Sequence, residues 1–349
     1  MESEPTIRRF LVSFVIIAGL VLLLYAAFFA WGHRIAVLQL FQTKEYKINL
    51  PGKIFLSLSP DNGSAPSGIY AYVLASGSLD RIFADISNKV PSYYVNTSPT
   101  PSNDGTLLTF VRKGNTDSVP QIYVAAPSGA DVRSITATPE SIKRGPVLSP
   151  AKDFIAFEAS ADKGIYGSET GGTPGDWGVY LTDMSGNSLR VATGTNPLFS
   201  SDGKELLILQ NDGLHLFDIR KPQKPNNLGL VLPLSEPGIY RWASVSLSHD
   251  GSHIAWAIPS MQKVSVARIT SWGATISVVL EKEIPLLAYH AVFSPDGTQL
   301  ALEEERPSPG KISSYIIISI YDLTSGKLQD AINLNKYTNS LIRLGGWVE

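Results

Sequence analysis

No cysteine occurs anywhere in the 349 residues. A disulfide framework, a thiolate metal site, a cysteine nucleophile and a lipid-modified cysteine are therefore excluded. Charge is scarce as well: Asp, Glu, Lys and Arg make up 17% of the chain and sum to a formal net charge of -2. That balance argues against nucleic acid, which wants a basic face. The sequence has no G-x-S-x-G nucleophile elbow and no G-K-[ST] after its glycine-rich run at 167–175, which reads as a flexible loop. His33, His215 and His290 stand singly. His249 and His253 are four apart, but an Asp-Gly turn lies between them, so the helical spacing of a metal pair does not apply. Glu303-Glu304-Glu305 reads as a solvated rim at the end of a strand rather than as a catalytic carboxylate pair. No catalytic residue, cofactor or metal is expected, and the sequence points away from an enzyme.

What the sequence does have is turns. With 29 glycines and 23 prolines, short β-branched and aromatic segments are punctuated throughout, the composition of an all-β chain. The clearest unit is Ala291 to Leu302, AVFSPDGTQLAL. Ser, Pro, Asp and Gly in succession describe a type I turn closed by a left-handed glycine, and the apolar flanks make it a hairpin. Imperfect copies place turn serines at 98, 149, 200, 248 and 294, spaced 51, 51, 48 and 46 apart. A period near 50, with two further strands after each hairpin, is that of a four-stranded propeller blade. The second strands (LLIL, IAWA, LALE) are apolar on nearly consecutive positions, as a sheet buried on both faces requires.

This hairpin, followed by a strand of the type Ile122-Tyr123-Val124, resembles the WD40-like (PD40) propeller repeat of the TolB family over about residues 53–349. The resemblance implies a six-bladed β-propeller in a periplasmic or extracytoplasmic setting. It does not extend to that family's separate N-terminal α/β domain, so its particular partners are not carried over. Five complete units are visible. Strands at 53–58, 68–73 and 80–84 lack a first strand, and Leu341 to Val348 forms a first strand with nothing after it. Joining the two ends gives a sixth, split blade with Trp347 where Phe199 and Phe293 sit, and it closes the ring. The competing reading makes Ser59 to Gly63 an ordinary hairpin of its own blade.

Ahead of the propeller (51–349), Phe10 to Trp31 is an uncharged run of 22 residues. About 20 helical residues cross a hydrocarbon core, so this run is expected to be an uncleaved transmembrane signal anchor, the alternative being a signal peptide cut after Gly32. Arg8 and Arg9 would mark one interface and Trp31 the other. Residues 1–9 then form a short cytoplasmic tail and 32–50 a stalk, with the propeller outside the cell membrane.

In such a propeller the Ser-Asp-Gly turns share one face, and the second-to-third and blade-to-blade connections share the other. The longest connections, 159–177, 221–242, 303–314 and 59–67, collect there with Tyr166, Trp177, Tyr240 and Trp242. Aromatics on long loops suit a binding surface for a protein or envelope polymer; the bland alternative is that they plug the loops onto the blades. A competing class, a channel-centred enzyme or small-ligand sensor, would require Asp, Glu, His or Arg clustered around the central channel.

Overall fold

The computed structural model describes residues 50–60, 68–84, 97–112, 119–139, 141–161, 177–233, 244–272, 276–307, 314–332 and 340–349. The expected membrane helix at 10–31, with Arg8, Arg9 and Trp31, lies outside them, as does the stalk up to residue 49. Among the described residues no helix is long and apolar enough to cross a membrane. The propeller unit comprises Tyr46–Arg306 and Ser314–Glu349.

The strands form six four-stranded sheets. Blade 2 holds β4 (Thr97–Pro101), β5 (Leu108–Arg112), β6 (Gln121–Ala125) and β7 (Arg133–Ser134). Blade 3 holds β8 (Ile142–Leu148), β9 (Phe154–Ser160), β10 (Gly178–Asp183) and β11 (Ser188–Thr193). Blade 4 holds β12 (Thr195–Phe199), β13 (Glu205–Gln210), β14 (Gly213–Asp218) and β15 (Asn226–Pro233). Blade 5 holds β16 (Ser244–Leu247), β17 (His253–Ile258), β18 (Lys263–Ser271) and β19 (Ser277–Ile284). Blade 6 holds β20 (Ala288–Phe293), β21 (Gln299–Pro307), β22 (Ser314–Asp322) and β23 (Leu328–Ile332). Blade 1 is the split one: β24 (Ser340–Val348) pairs antiparallel with β1 (Lys53–Pro60), followed by β2 (Gly68–Val73) and β3 (Ser78–Ala84). The six inner strands touch in the cyclic order β24, β4, β8, β12, β16, β20 and back to β24. The ring therefore closes through the two chain ends, as the orphan strands predict. Because Ser59 and Pro60 continue β1 opposite Leu341 and Ser340, the separate-hairpin reading of that segment is excluded.

Each hairpin turn is held by its serine. In blade 6 Ser294 Oγ donates to Asp296 Oδ1 at 2.6 Å and accepts the Gln299 N–H at 3.0 Å, while Gly297 N–H closes the turn on Ser294 O at 2.9 Å with φ +72°. One assignment is corrected here. In blade 2 the turn serine is Ser102, not Ser98, with Ser102 Oγ on Asp104 Oδ1 at 2.6 Å and Ser102 N–H on Leu107 O at 2.7 Å. Ser98-Pro99, four residues upstream, imitates the Ser-Pro start of the turns at 149 and 294 and hides the true one in the sequence. Ser98 instead sits in β4 at φ +52°, where the β4–β5 register slips.

The consecutive apolar residues of the second strands are explained by the seams. Leu206 and Ile208 pack towards blade 3 with Ala156 and Val179, whereas Leu207 and Leu209 pack towards blade 5 with Val245 and Ile254. Ile54 and Leu56 likewise join Ile318 and Leu344 between blades 6 and 1, and Phe55 joins Leu108 and Phe110 between blades 1 and 2. The core is thus a ring of apolar slabs between blades. On β16, Ser244 Oγ and Ser246 Oγ are buried without a hydrogen-bond partner, opposite Ala257 and Ala255. Ser246→Ala removes an unsatisfied hydroxyl, so stability is expected to hold or rise by up to about 1 kcal/mol in denaturant titration. A loss of more than that would reveal an unseen partner.

All four of the supposed long loops overlap strand: β15 fills 226–233, β21 runs on to Pro307, β9 to Ser160 and β1 to Pro60. The connections at 61–67, 85–96, 113–118, 162–176, 234–243, 308–313 and 333–339 lie outside the described residues.

Candidate functional site

The reading of Glu303-Glu304-Glu305 as a solvated rim is overturned. β21 continues through them, and its position between neighbouring blades encloses the first two. Glu303 is 0% exposed. Its Oε1 accepts Arg343 Nη1 at 2.8 Å, and its Oε2 accepts His290 Nδ1 at 3.0 Å and the Leu344 backbone N–H at 3.0 Å. Burial pushes this carboxyl up, but the charges of His290 and Arg343 and the donated hydrogen bonds outweigh it and hold the pKa at about 2. Glu304 is closed by Arg306 (Nε 2.7 Å, Nη2 2.9 Å) and Ser319 Oγ at 2.7 Å, and Arg306 reaches on to Asp330 at 2.8 Å. Glu305 accepts the Tyr289 hydroxyl, and burial with that carboxylate pushes the phenol up to about 12.

Counted from the turn, Glu303 stands nine residues after Ser294, and Glu158 stands nine after Ser149. In blade 3 Glu158 accepts Arg144 Nε at 2.5 Å from its own inner strand and the Asn196 N–H at 2.9 Å from the inner strand of blade 4. Glu303 does the same across the seam from blade 6 to blade 1. Two seams on opposite sides of the ring are therefore tied by a buried carboxylate that captures a backbone N–H of the next blade. Where blades 2, 4 and 5 have Val111, Leu209 and Ala257 at this register, the seam is held by apolar contact. Sequence reasoning missed this pair. The signal was present as an acid at the ninth position after the turn serine, with a cation on the inner strand facing it.

Of the aromatic candidates, Trp177 is described. It is 3% exposed and packs with Val119 and Ile142, with the Arg144 guanidinium 3.6 Å from its ring centroid. At this position the ring fastens the start of β10 to the blade and braces the arginine that serves Glu158. Trp177→Ala is accordingly expected to cost about 3–5 kcal/mol, read as a lowered denaturation midpoint. Tyr166, Tyr240 and Trp242 lie outside the described residues. Of the histidines singled out, His290 is brought onto Glu303, while His253 Nε2 approaches Glu281 at 3.4 Å and burial lowers the pKa of His249. Among the described residues no three His, Cys, Asp or Glu side chains are placed to hold a metal.

No protein-family model matches the chain, and no curated protein does. Solved structures do. TolB from Acinetobacter baumannii is 17% identical with a TM-score of 0.59, over 85% of this chain and 66% of that one, so the chain spans less than two thirds of TolB's length. Hydrazine synthase from Kuenenia stuttgartiensis is 12% identical with a TM-score of 0.55, over 86% of this chain and 47% of that one. A functionally unknown protein from Desulfotomaculum acetoxidans is 13% identical with a TM-score of 0.50, over 84% of this chain and 89% of that one. At these identities the likeness is one of fold: this chain folds as a TolB-like six-bladed β-propeller.

Proposed function

We propose that the chain is a membrane-anchored, extracytoplasmic propeller that binds a protein or envelope polymer through the face opposite its Ser-Asp-Gly turns. One observation carries the reading: the two faces are built differently. The turn face is closed by short hydrogen-bonded hairpins whose serines and aspartates satisfy one another. The strands joined by 85–96, 162–176 and 234–243 end at the opposite face, and those connections, which lie outside the described residues, carry Tyr166, Tyr240 and Trp242 in the sequence. The uncharged run at 10–31 supplies the anchor, and large folded domains following a first apolar helix are commonly exported.

Crosslinking from outside intact cells tests it. A partner captured by the native chain and lost in a Tyr166→Ala, Tyr240→Ala, Trp242→Ala triple variant of unchanged melting temperature is the expected result. Equal capture by the triple variant, or protection of the propeller from protease added to spheroplasts, would end the proposal. Trp177 is left intact because its removal damages the fold.

A small-ligand reading is favoured by the cluster of Tyr289, His290, Glu303, Glu305 and Arg343 on inner and second strands. Acid catalysis by Glu303 is disfavoured, since a carboxyl held near a pKa of 2 has no proton to give at neutral pH.

A further inference from the structure

The six seams do not finish alike at the rim. Each is an apolar slab inside, but the seam between blades 4 and 5 leaves more apolar side chains only partly covered than any other. β15 contributes Leu228, Val231 and Leu232, β19 contributes Val278, and Trp272 marks the turn end of blade 5. Leu280 opposes Ala267 and Val278 opposes Ile269, both of them residues of this seam, so the two β19 side chains stand on its side of the strand. Leu280 is 53% exposed, the most open large apolar side chain among the described residues. The Trp272 indole N–H is used internally, on Gly251 O at 2.9 Å, which leaves the rest of the ring as apolar surface.

Charge beside this margin is one-sided. On the outer strands and their turns Asp218 holds Arg220, Glu281 holds Arg268 and Glu283 holds Lys263, so those acids are already paired. Lys221 and Lys224 stand in the β14–β15 turn, at the same end of blade 4 as Trp272 occupies on blade 5. Both are exposed, and neither forms an ion pair among the described residues.

A second copy adding its edge strand fits this margin poorly. β15 slips register twice on β14, and β19 twice on β18, so neither edge presents a regular row of N–H and C=O groups. Aliphatic side chains, a tryptophan and uncompensated lysines suit instead a partner without fixed shape, anionic at its surface and apolar beneath.

We propose that the outer margin of blades 4 and 5 rests on an anionic bilayer surface, with Leu280 and Trp272 entering the interface and Lys221 and Lys224 facing lipid phosphates. The proposal rests on the reading above that the chain is membrane-anchored, which brings a bilayer within reach.

The absence of cysteine lets a single one be placed and labelled. Full-length Leu280→Cys and Met261→Cys, the latter at the opposite end of blade 5, carry a nitrobenzoxadiazole fluorophore and are reconstituted in vesicles of phosphatidylcholine, with or without phosphatidylglycerol. Flotation with the vesicles reads anchoring, and quenching by a headgroup spin-labelled lipid reads contact. In the anionic vesicles the label at 280 is expected to be quenched about tenfold more than the label at 261, and the difference should shrink in high salt and with Lys221→Glu plus Lys224→Glu. Ser277→Cys carries the label should Leu280→Cys fail to fold. Equal quenching at 280 and 261, quenching indifferent to the two lysines, or a label at 280 already shielded in detergent, as a second copy would give, overturns the proposal. Protein that floats with both vesicles while the label at 280 stays unquenched ends the proposal and leaves the anchor standing. Flotation with anionic vesicles alone, the label at 280 quenched, sustains the surface and removes the anchor.

Discussion

Gly345→Ala will stop the ring from closing. A Cβ built on Gly345 lies 1.8 Å from the Pro99 carbonyl oxygen and 2.9 Å from its carbon, and one on Gly346 lies 2.5 Å from Pro101 Cδ. The nearest obstacle to each is the inner strand of blade 2, β4, so relief requires the seam between blades 1 and 2 to part. The register of β24 on β1 also slips at this point, between Phe55 and Leu56, which opposes Gly346 and Leu344 and leaves Gly345 as the extra residue. Deleting 346–349 attacks the same closure differently. It removes Trp347, 2% exposed between blades 6 and 1, and Val348, packed between blades 1 and 2. Losing a core tryptophan alone costs about 3–5 kcal/mol. Either change should lower the melting temperature by roughly 10 °C or more, at about 2–4 °C per kcal/mol for a domain of this class. A deletion variant that melts with the native protein would show that the split blade does not hold the ring.

Glu303→Gln is the second large effect. Removing one member of a buried ionic group leaves the others uncompensated, and such changes cost about 3–5 kcal/mol. Here the glutamine keeps one acceptor oxygen where the carboxylate used two, so it cannot serve Arg343, His290 and the Leu344 N–H together. The native chain carries a matching acid signature. A carboxyl lowered from 4.5 to about 2 on folding contributes stability that is fully present above the unfolded pKa. That contribution, on the order of 3 kcal/mol, is lost as pH falls from about 4.5 towards 2. Urea midpoints measured from pH 6 down to 2.5 should fall steeply for the native chain and more gently for Glu303→Gln. Parallel curves for the two proteins would remove Glu303 from the seam. At neutral pH Glu158→Gln should cost less than Glu303→Gln, since Glu158 accepts from Arg144 and the Asn196 N–H where Glu303 accepts from Arg343, His290 and the Leu344 N–H.

Much of the architecture was legible in the chain. Serine, aspartate and glycine around each turn make their hydrogen bonds within a few residues, so local sequence suffices to place hairpins at 149, 200, 248 and 294. The same locality failed once, at Ser102, because Ser98-Pro99 four residues upstream imitates the Ser-Pro start of the turns at 149 and 294. Consecutive apolar residues on the second strands told of burial on both faces, and the two orphan segments at the chain ends told of their own pairing. The charged residues were misread for a physical reason. Whether Glu303 is solvated depends on Arg343 and Leu344, forty and forty-one residues further on and in another blade, and no local pattern reports that. Trp177 was ambiguous for the same reason, since its packing against Arg144 exists only when the inner strand of blade 3 lies beneath it. Sequence alone determined the repeat, the blade and the closure, because these follow from short-range hydrogen bonding and strand periodicity. Only tertiary structure decided which acids are buried, which cations they hold and where the open side of that pairing faces, because those depend on seams between blades that the chain joins across its full length.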